Sequence, residues 1–186
     1  MAYYHCSPTT GLTELMPRKP ESFEKPAKVY MTTLLPIALM YCVQNYEYTY
    51  GYTKEGRIYY EEYFPNALET LYRGKSASLY LCAPESTEPT RIPNEEVSET
   101  AVPILSETFI PDACEALLEQ ERLGALVIHR YQELSEKKLD WIRKAEVDCI
   151  RKAALISTSG PMADYYREHY PESWAIVKRE QEDVHE

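Results

Sequence analysis

Glycine is scarce in this 186-residue chain, with 6 residues, and phenylalanine scarcer still, with 3. So few glycines leave little material for a Gly-built phosphate cradle, and neither the Gly-x-x-x-x-Gly-Lys-Ser/Thr loop nor the Gly-x-Gly-x-x-Gly fingerprint is present. Gly-x-Ser-x-Gly and His-Glu-x-x-His are absent as well, which removes the common hydrolase and zinc-protease signatures. No apolar run approaches the roughly 18 residues that a membrane-spanning helix needs, and the start MAYYHCSPTT lacks the basic-then-apolar order of a signal peptide. A cytoplasmic location is therefore expected. Positive charge is also in deficit: 20 basic against 30 acidic residues give a net charge of −10. Binding to nucleic acid or to an anionic membrane depends on neutralising phosphates, so neither is expected as a partner. Lys and Arg are scattered through most segments rather than swept from one face, which argues against an acidic mimic of DNA.

The five cysteines, Cys6, Cys42, Cys82, Cys114 and Cys149, are odd in number, far apart and free of any Cys-x-x-Cys pair. They read as thiols in a reducing compartment, with Cys42, Cys114 and Cys149 on apolar helix faces, and neither a disulfide nor a metal site is expected. What the chain has in excess is tyrosine, 17 residues. Ten of them fall between Tyr41 and Tyr80.

The order of elements predicts an α+β fold. Tyr3 to Ser7 is a strand, and a Lys/Glu/Pro-rich loop reaches Pro26. Lys28 to Thr32 is a second strand, and a helix capped by Thr32 or Thr33 carries Pro36 in its first turn and runs through Val43. Tyr46, Tyr48, Tyr50 and Tyr52 alternate at period two, so a strand is expected there, with Lys54-Glu55-Gly56 turning into Arg57 to Tyr60. A helix over Asn66 to Tyr72 ends at Gly74, a strand covers Ser76 to Cys82, and Ala83 to Asn94 is a loop. Val97 to Leu105 and Thr108 to Ile110 are extended, followed by a helix from Asp112 to Leu123 and a strand from Ala125 to Tyr131. From Ser135 to about Ile156 a long amphipathic helix places Leu139, Ile142, Ala145, Cys149 and Ala153 inward, and further helical pieces lead to a charged tail from Arg179 to Glu186. The expected division is a core over 1–134 and a helical extension over 135–186 packed on it as one domain.

Of the four histidines, His185 lies in the tail, His169 suits a helix terminus, and His129 sits in a core strand as a structural residue. His5 is distinguished by its company, Tyr4-His5-Cys6-Ser7-Pro8. Together with Tyr30-Met31-Thr32 and the helix Ile37-Ala38-Leu39-Met40-Tyr41, this pattern resembles the ADP-ribosyltransferase fold of the diphtheria-toxin and poly(ADP-ribose) polymerase type, with its His-Gly-Ser/Thr strand, Tyr-x-Ser/Thr strand and tyrosine-bearing helix. The longer text Tyr-His-Cys-Ser-Pro-Thr-x-Gly-Leu-x-x-Leu-x-Pro and the segment Glu62 to Glu69 are similar to a group of uncharacterised bacterial and phage proteins. The resemblance covers residues 3–131 and implies a split β-sheet core with flanking helices. It also implies NAD as substrate or ligand, without a metal. His5 would hydrogen-bond a ribose hydroxyl, Ser7 would support the carboxamide or the strand, and Tyr30 would stack on nicotinamide, with Thr32 and Tyr41 completing the pocket. A glutamate on a later strand would stabilise the oxocarbenium-like charge as nicotinamide leaves. Glu99 is preferred for that role, with Glu95 and Glu96 as competitors. Where the family has glycine, Cys6 adds a side chain at the point of close backbone approach.

The resemblance thus implies a transferase that passes ADP-ribose to a protein or small-molecule acceptor. Two other readings stand beside it: a module on the same fold that holds a nucleotide without turning it over, and a protein-interaction domain presenting the tyrosine face.

Overall fold

In the computed structural model, residues 2–19, 26–43, 47 and 49–183 are described. The chain is α+β, and it divides into two compact units. The first comprises Met1–Asn45, Tyr50–Tyr60 and Leu68–Val127. The second comprises Tyr46–Thr49, Glu61–Ala67 and Ile128–Glu186, so it takes two short pieces from within the first 134 residues.

The first unit is built on an antiparallel sheet. Its strands in chain order are β1 (Tyr3–Ser7), β2 (Glu14–Leu15), β3 (Val29–Thr32), β6 (Ala77–Cys82), β7 (Glu88–Pro89), β8 (Glu95–Ser98) and β9 (Val102–Ile110), with the hairpin strands β4 (Tyr50–Tyr52) and β5 (Ile58–Glu61) outside this sheet. The spatial order is β2-β9-β6-β1-β3-β8-β7. Tyr3, Leu15, Val29, Met31, Tyr80, Cys82 and Val102 form a buried cluster on one face, as the period-two alternation of strands requires. The helix α1 (Leu35–Met40) packs against β1 and β3, and α3 (Ala113–Arg122) packs against α1. Asp112 caps α3 by accepting the Glu115 N–H, and the chain leaves through Gly124 at φ +74°.

Several boundaries differ from the sequence pattern. Helix α1 stops at Met40, where Tyr41 and Cys42 make a turn instead of continuing to Val43, and its first turn has no side-chain cap; Thr32 Oγ1 instead accepts the Leu34 N–H just before it. The stretch expected as one strand over Val97 to Leu105 is two, because the chain bends at Glu99–Thr100: Glu95 and Glu96, expected in a loop, belong to β8, and Glu99 lies outside it. Short β7, in the expected loop over Ala83 to Asn94, pairs with β8.

The tyrosine-rich hairpin pairs Tyr50 with Tyr60 and Tyr52 with Ile58, turning through Gly56 at φ +79°. The Tyr59 ring lies over Gly51, where an added Cβ would sit 2.5 Å from the Tyr59 hydroxyl and displace that side chain. Tyr46 and Tyr48 lie outside the described residues. A three-stranded sheet has the order β10-β5-β4, with β10 spanning Leu126–His129. The short helix α2 (Ala67–Tyr72) sends the Tyr72 hydroxyl to the Met40 carbonyl at 2.9 Å and packs the Tyr72 ring edge-on to Tyr60.

The second unit is mostly helical: α4 (Glu136–Lys152), α5 (Pro161–His169) and α6 (Pro171–Asp183). Ser135 caps α4, as its place before the amphipathic run predicts. The inner face of α4 is Ile142, Glu146, Val147 and Ile150, so Cys149 is exposed and a glutamate is buried in place of the expected alanine and cysteine. His169 stacks flat on Phe64 at 4.2 Å between ring centroids, and Tyr165 and Tyr170 meet Phe64 edge-on.

Candidate functional site

Strands β1 and β6 run together over five register pairs, from Tyr3 opposite Cys82 to Ser7 opposite Ser78. On its other side β1 meets β3 in a single register pair, Tyr4 opposite Thr32. Beyond that rung His5 Nδ1 lies 2.9 Å from the Tyr30 carbonyl oxygen. A carbonyl can only accept, so Nδ1 carries the proton, and in the neutral ring Nε2 is left as an acceptor. Burial is the largest influence on this imidazole and holds its pKa below the ordinary histidine value, with Arg18 acting in the same direction against the Tyr30 hydrogen bond. A neutral histidine fixed in one tautomer is an acceptor suited to a ligand hydroxyl.

Tyr30 alternates with buried Val29 and Met31, so its ring leaves the opposite face of β3 and is 36% exposed. Tyr41 is also exposed, edge-on to the Tyr50 ring, with their hydroxyls 3.2 Å apart. Thr32 is buried, and its Oγ1 accepts the Leu34 N–H. Ser7 Oγ accepts the Thr9 N–H and shapes the turn after β1.

The three candidate glutamates separate clearly. Glu99 is exposed and ion-paired with Lys28 at 3.2 Å, away from the strand position expected of it. Glu95 is buried and accepts from the Thr90 hydroxyl at 2.7 Å. Glu96, opposite Met31, accepts from the Tyr3 and Thr87 hydroxyls and so shares the face of Tyr3 and His5.

A second polar group on that face went unrecognised in the sequence. His5 is opposite Tyr80, and Tyr80 is opposite Glu107. The Glu107 carboxylate accepts the Gly11 N–H at 3.0 Å and the Ser78 hydroxyl, while the Tyr80 hydroxyl donates to the Thr9 carbonyl at 2.7 Å. These donors, the Ser78 hydroxyl foremost, hold the Glu107 pKa below the usual carboxylate value. The alternation of Ser78 and Tyr80 along β6 is the signal that could have revealed it; Glu107 falls between the two extended stretches of the sequence pattern, whereas β9 runs through it unbroken.

Five unpaired thiols were expected, but Cys6 and Cys42 are joined in a disulfide, with Cα atoms 5.2 Å apart. Thirty-six positions of separation conceal the pair in the sequence, and it is the packing of α1 on β1 that brings them together. Cys82, Cys114 and Cys149 are free thiols, the first two buried. Among the described residues no group of three or more His, Cys, Asp or Glu side chains is placed to hold a metal ion, and no helix is long and apolar enough to cross a membrane.

No family model, no curated protein and no solved structure matches this chain.

Proposed function

We propose that the protein binds an ADP-ribose-containing nucleotide, NAD or a close relative, where β1 and β3 part. One observation carries the reading: the ladder between these strands has a single register pair, and the His5 imidazole takes the Tyr30 carbonyl beside it. That arrangement joins the two short motifs whose resemblance to the ADP-ribosyltransferase fold suggested a nucleotide. His5 Nε2 accepts from a ribose hydroxyl on its own side of the sheet, while the exposed Tyr30 ring leaves the opposite side.

Binding without turnover is the leading form of this reading. Glu99 is engaged with Lys28, and the Cys6 side chain, bonded to Cys42, occupies the place where the family has a bare glycine. Transfer of ADP-ribose to a protein or small-molecule acceptor is the second form, and Glu96 favours it as the candidate carboxylate on the His5 face. Calorimetry with NAD, ADP-ribose and cyclic ADP-ribose tests binding, and nicotinamide release tests turnover. The proposal expects heat of binding with at least one of the three; no heat with any of them removes both forms. Release of nicotinamide that is lost in Glu96→Gln and retained in Glu99→Gln would make the protein an enzyme with its carboxylate on β8.

A further inference from the structure

We infer that Cys6 and Cys42 are a reversible redox site whose bond fixes the Tyr41 end of α1 against β1 and so steadies the strand that carries His5. The ligand consequence rests on the nucleotide reading above; the redox chemistry does not.

The two cysteines adjoin the residues that matter. Cys6 lies between His5 and Ser7 on β1, and Cys42 directly follows Tyr41. Their Cα separation of 5.2 Å is well within what a disulfide spans without moving the backbone. Helix α1 has only six residues, too short to persist by its own hydrogen bonds, so its C-terminal turn depends on outside ties. Among the ties on this turn are the Tyr72 hydroxyl on the Met40 carbonyl and the Cys6–Cys42 bond. Reduction leaves the Tyr41 turn without its covalent tie to the His5 strand.

The remaining buried thiols compete poorly for this bond. Cys82 is on the neighbouring strand, opposite Tyr3, but burial pushes its pKa up to about 11 and keeps it protonated. Cys114 is shifted upward by burial too. The sulfurs of the pair are themselves sealed, with Cys6 5% and Cys42 1% exposed, so exchange in the folded chain is expected to be slow. In the oxidation step the Cys6 and Cys42 thiols give up two protons and two electrons to an oxidant of the disulfide class such as glutathione disulfide, which is cleaved to two thiols as the Cys6–Cys42 bond forms. A dithiol reverses the step and is itself oxidised to a disulfide.

The test uses the full chain equilibrated with glutathione disulfide or with dithiothreitol, then denatured and labelled with N-ethylmaleimide for mass measurement. The oxidised chain is expected to take label on Cys82, Cys114 and Cys149 alone, with a linked Cys6–Cys42 peptide, and the reduced chain to take it on all five cysteines. Reduction is expected to lower Tm by roughly 8–15 °C, the range for a loop of this length. Cys42→Ser should melt with the reduced wild type and ignore dithiothreitol, and ADP-ribose should bind severalfold more weakly to the reduced wild type than to the oxidised form. Five labels after oxidation, or an equal dithiothreitol shift in Cys42→Ser, would overturn the redox site. Equal ADP-ribose affinity in the two redox forms would overturn its effect on the His5 strand. Absence of binding in both forms would overturn the nucleotide reading and that effect together, while the label count still decides the redox site.

Discussion

Two glutamates, one in each unit, show how differently the same side chain can be held. In the sheet unit, Glu107 is ringed by a backbone N–H and hydroxyl donors, and its charge is stabilised. In the helical unit, Glu146 on α4 is 3% exposed and lies beside Glu47, whose Oε2 accepts the Tyr170 hydroxyl at 2.7 Å. Burial raises both of these carboxyls far above the usual range, Glu47 to about 7 and Glu146 to about 8, and the proximity of each to the other makes it costly to ionise both. Burial and donor supply, more than residue type, decide which glutamate carries a charge at neutral pH. Tyr170 donates its hydroxyl to Glu47, and burial pushes the pKa values of Tyr165, Tyr166 and Tyr170 up.

The largest expected effect follows from that pair. Carboxyls whose folded pKa lies above the unfolded value of 4.5 stabilise the fold fully below that value and lose the contribution as pH rises through about 7 and 8. The helical unit should therefore weaken by roughly 7 kcal/mol between pH 5 and pH 9, given about 1.4 kcal/mol per pKa unit for the two groups together. Both tryptophans of the chain, Trp141 and Trp174, lie in this unit, so denaturant unfolding followed by tryptophan fluorescence reads it selectively. Glu146→Gln should flatten the alkaline limb; a variant that keeps the wild-type slope would contradict the account of the pair.

Tyr170→Phe sharpens the same contrast by removing a donor. Loss of the 2.7 Å hydrogen bond should cost about 1–3 kcal/mol and move the alkaline transition to higher pH, because the Glu47 carboxylate loses a group that favours its charge. Asp112→Ala probes the sheet unit, where removing the cap of α3 should cost about 1 kcal/mol in denaturant unfolding followed by circular dichroism. The smallest effect is expected at exposed Glu107. Its folded pKa is depressed, so its contribution is present above 4.5 and lost as pH falls through the folded value. Glu107→Gln should reduce the acid limb of the sheet unit and leave its alkaline behaviour unchanged, the reverse of Glu146→Gln, as melting across pH 2–9 would show.

The parts legible in the sequence were those set by local rules. The Tyr3–Ser7 and Val29–Thr32 strands, the Gly56 turn, the Asp112 and Ser135 caps and the stops at Gly74 and Gly124 each follow from residues within one or two turns of chain. What escaped depends on distant partners. Glu146 is buried on α4 because Glu47, about a hundred positions earlier, meets it with a proton to share. Glu99 falls in a bend because β8 ends at Ser98 and β9 begins only at Val102. Cys42 joins Cys6 because α1 is packed on β1. At the candidate site, the His5 and Tyr30 strands are indeed neighbours, but their rings leave opposite sides of the sheet, since register and not motif order decides direction.

The tyrosine excess divides in the same way. Tyr72 and Tyr80 tie elements together through hydroxyls sent to main-chain carbonyls, Tyr60 fills core space, and Tyr52 donates to the Pro93 carbonyl. Tyr30 and Tyr41 are exposed, and the Tyr30 ring is on the side of the sheet away from His5.

The central claim is that an ADP-ribose-containing nucleotide binds through His5 where β1 and β3 part. Isothermal titration of ADP-ribose into the oxidised wild type and into His5→Ala tests it most directly. The account predicts saturable binding to one site in the wild type and at least a tenfold loss of affinity in His5→Ala, the weight of one ligand hydrogen bond to a buried acceptor. Equal affinity in the two proteins, or no binding to the wild type, would contradict it.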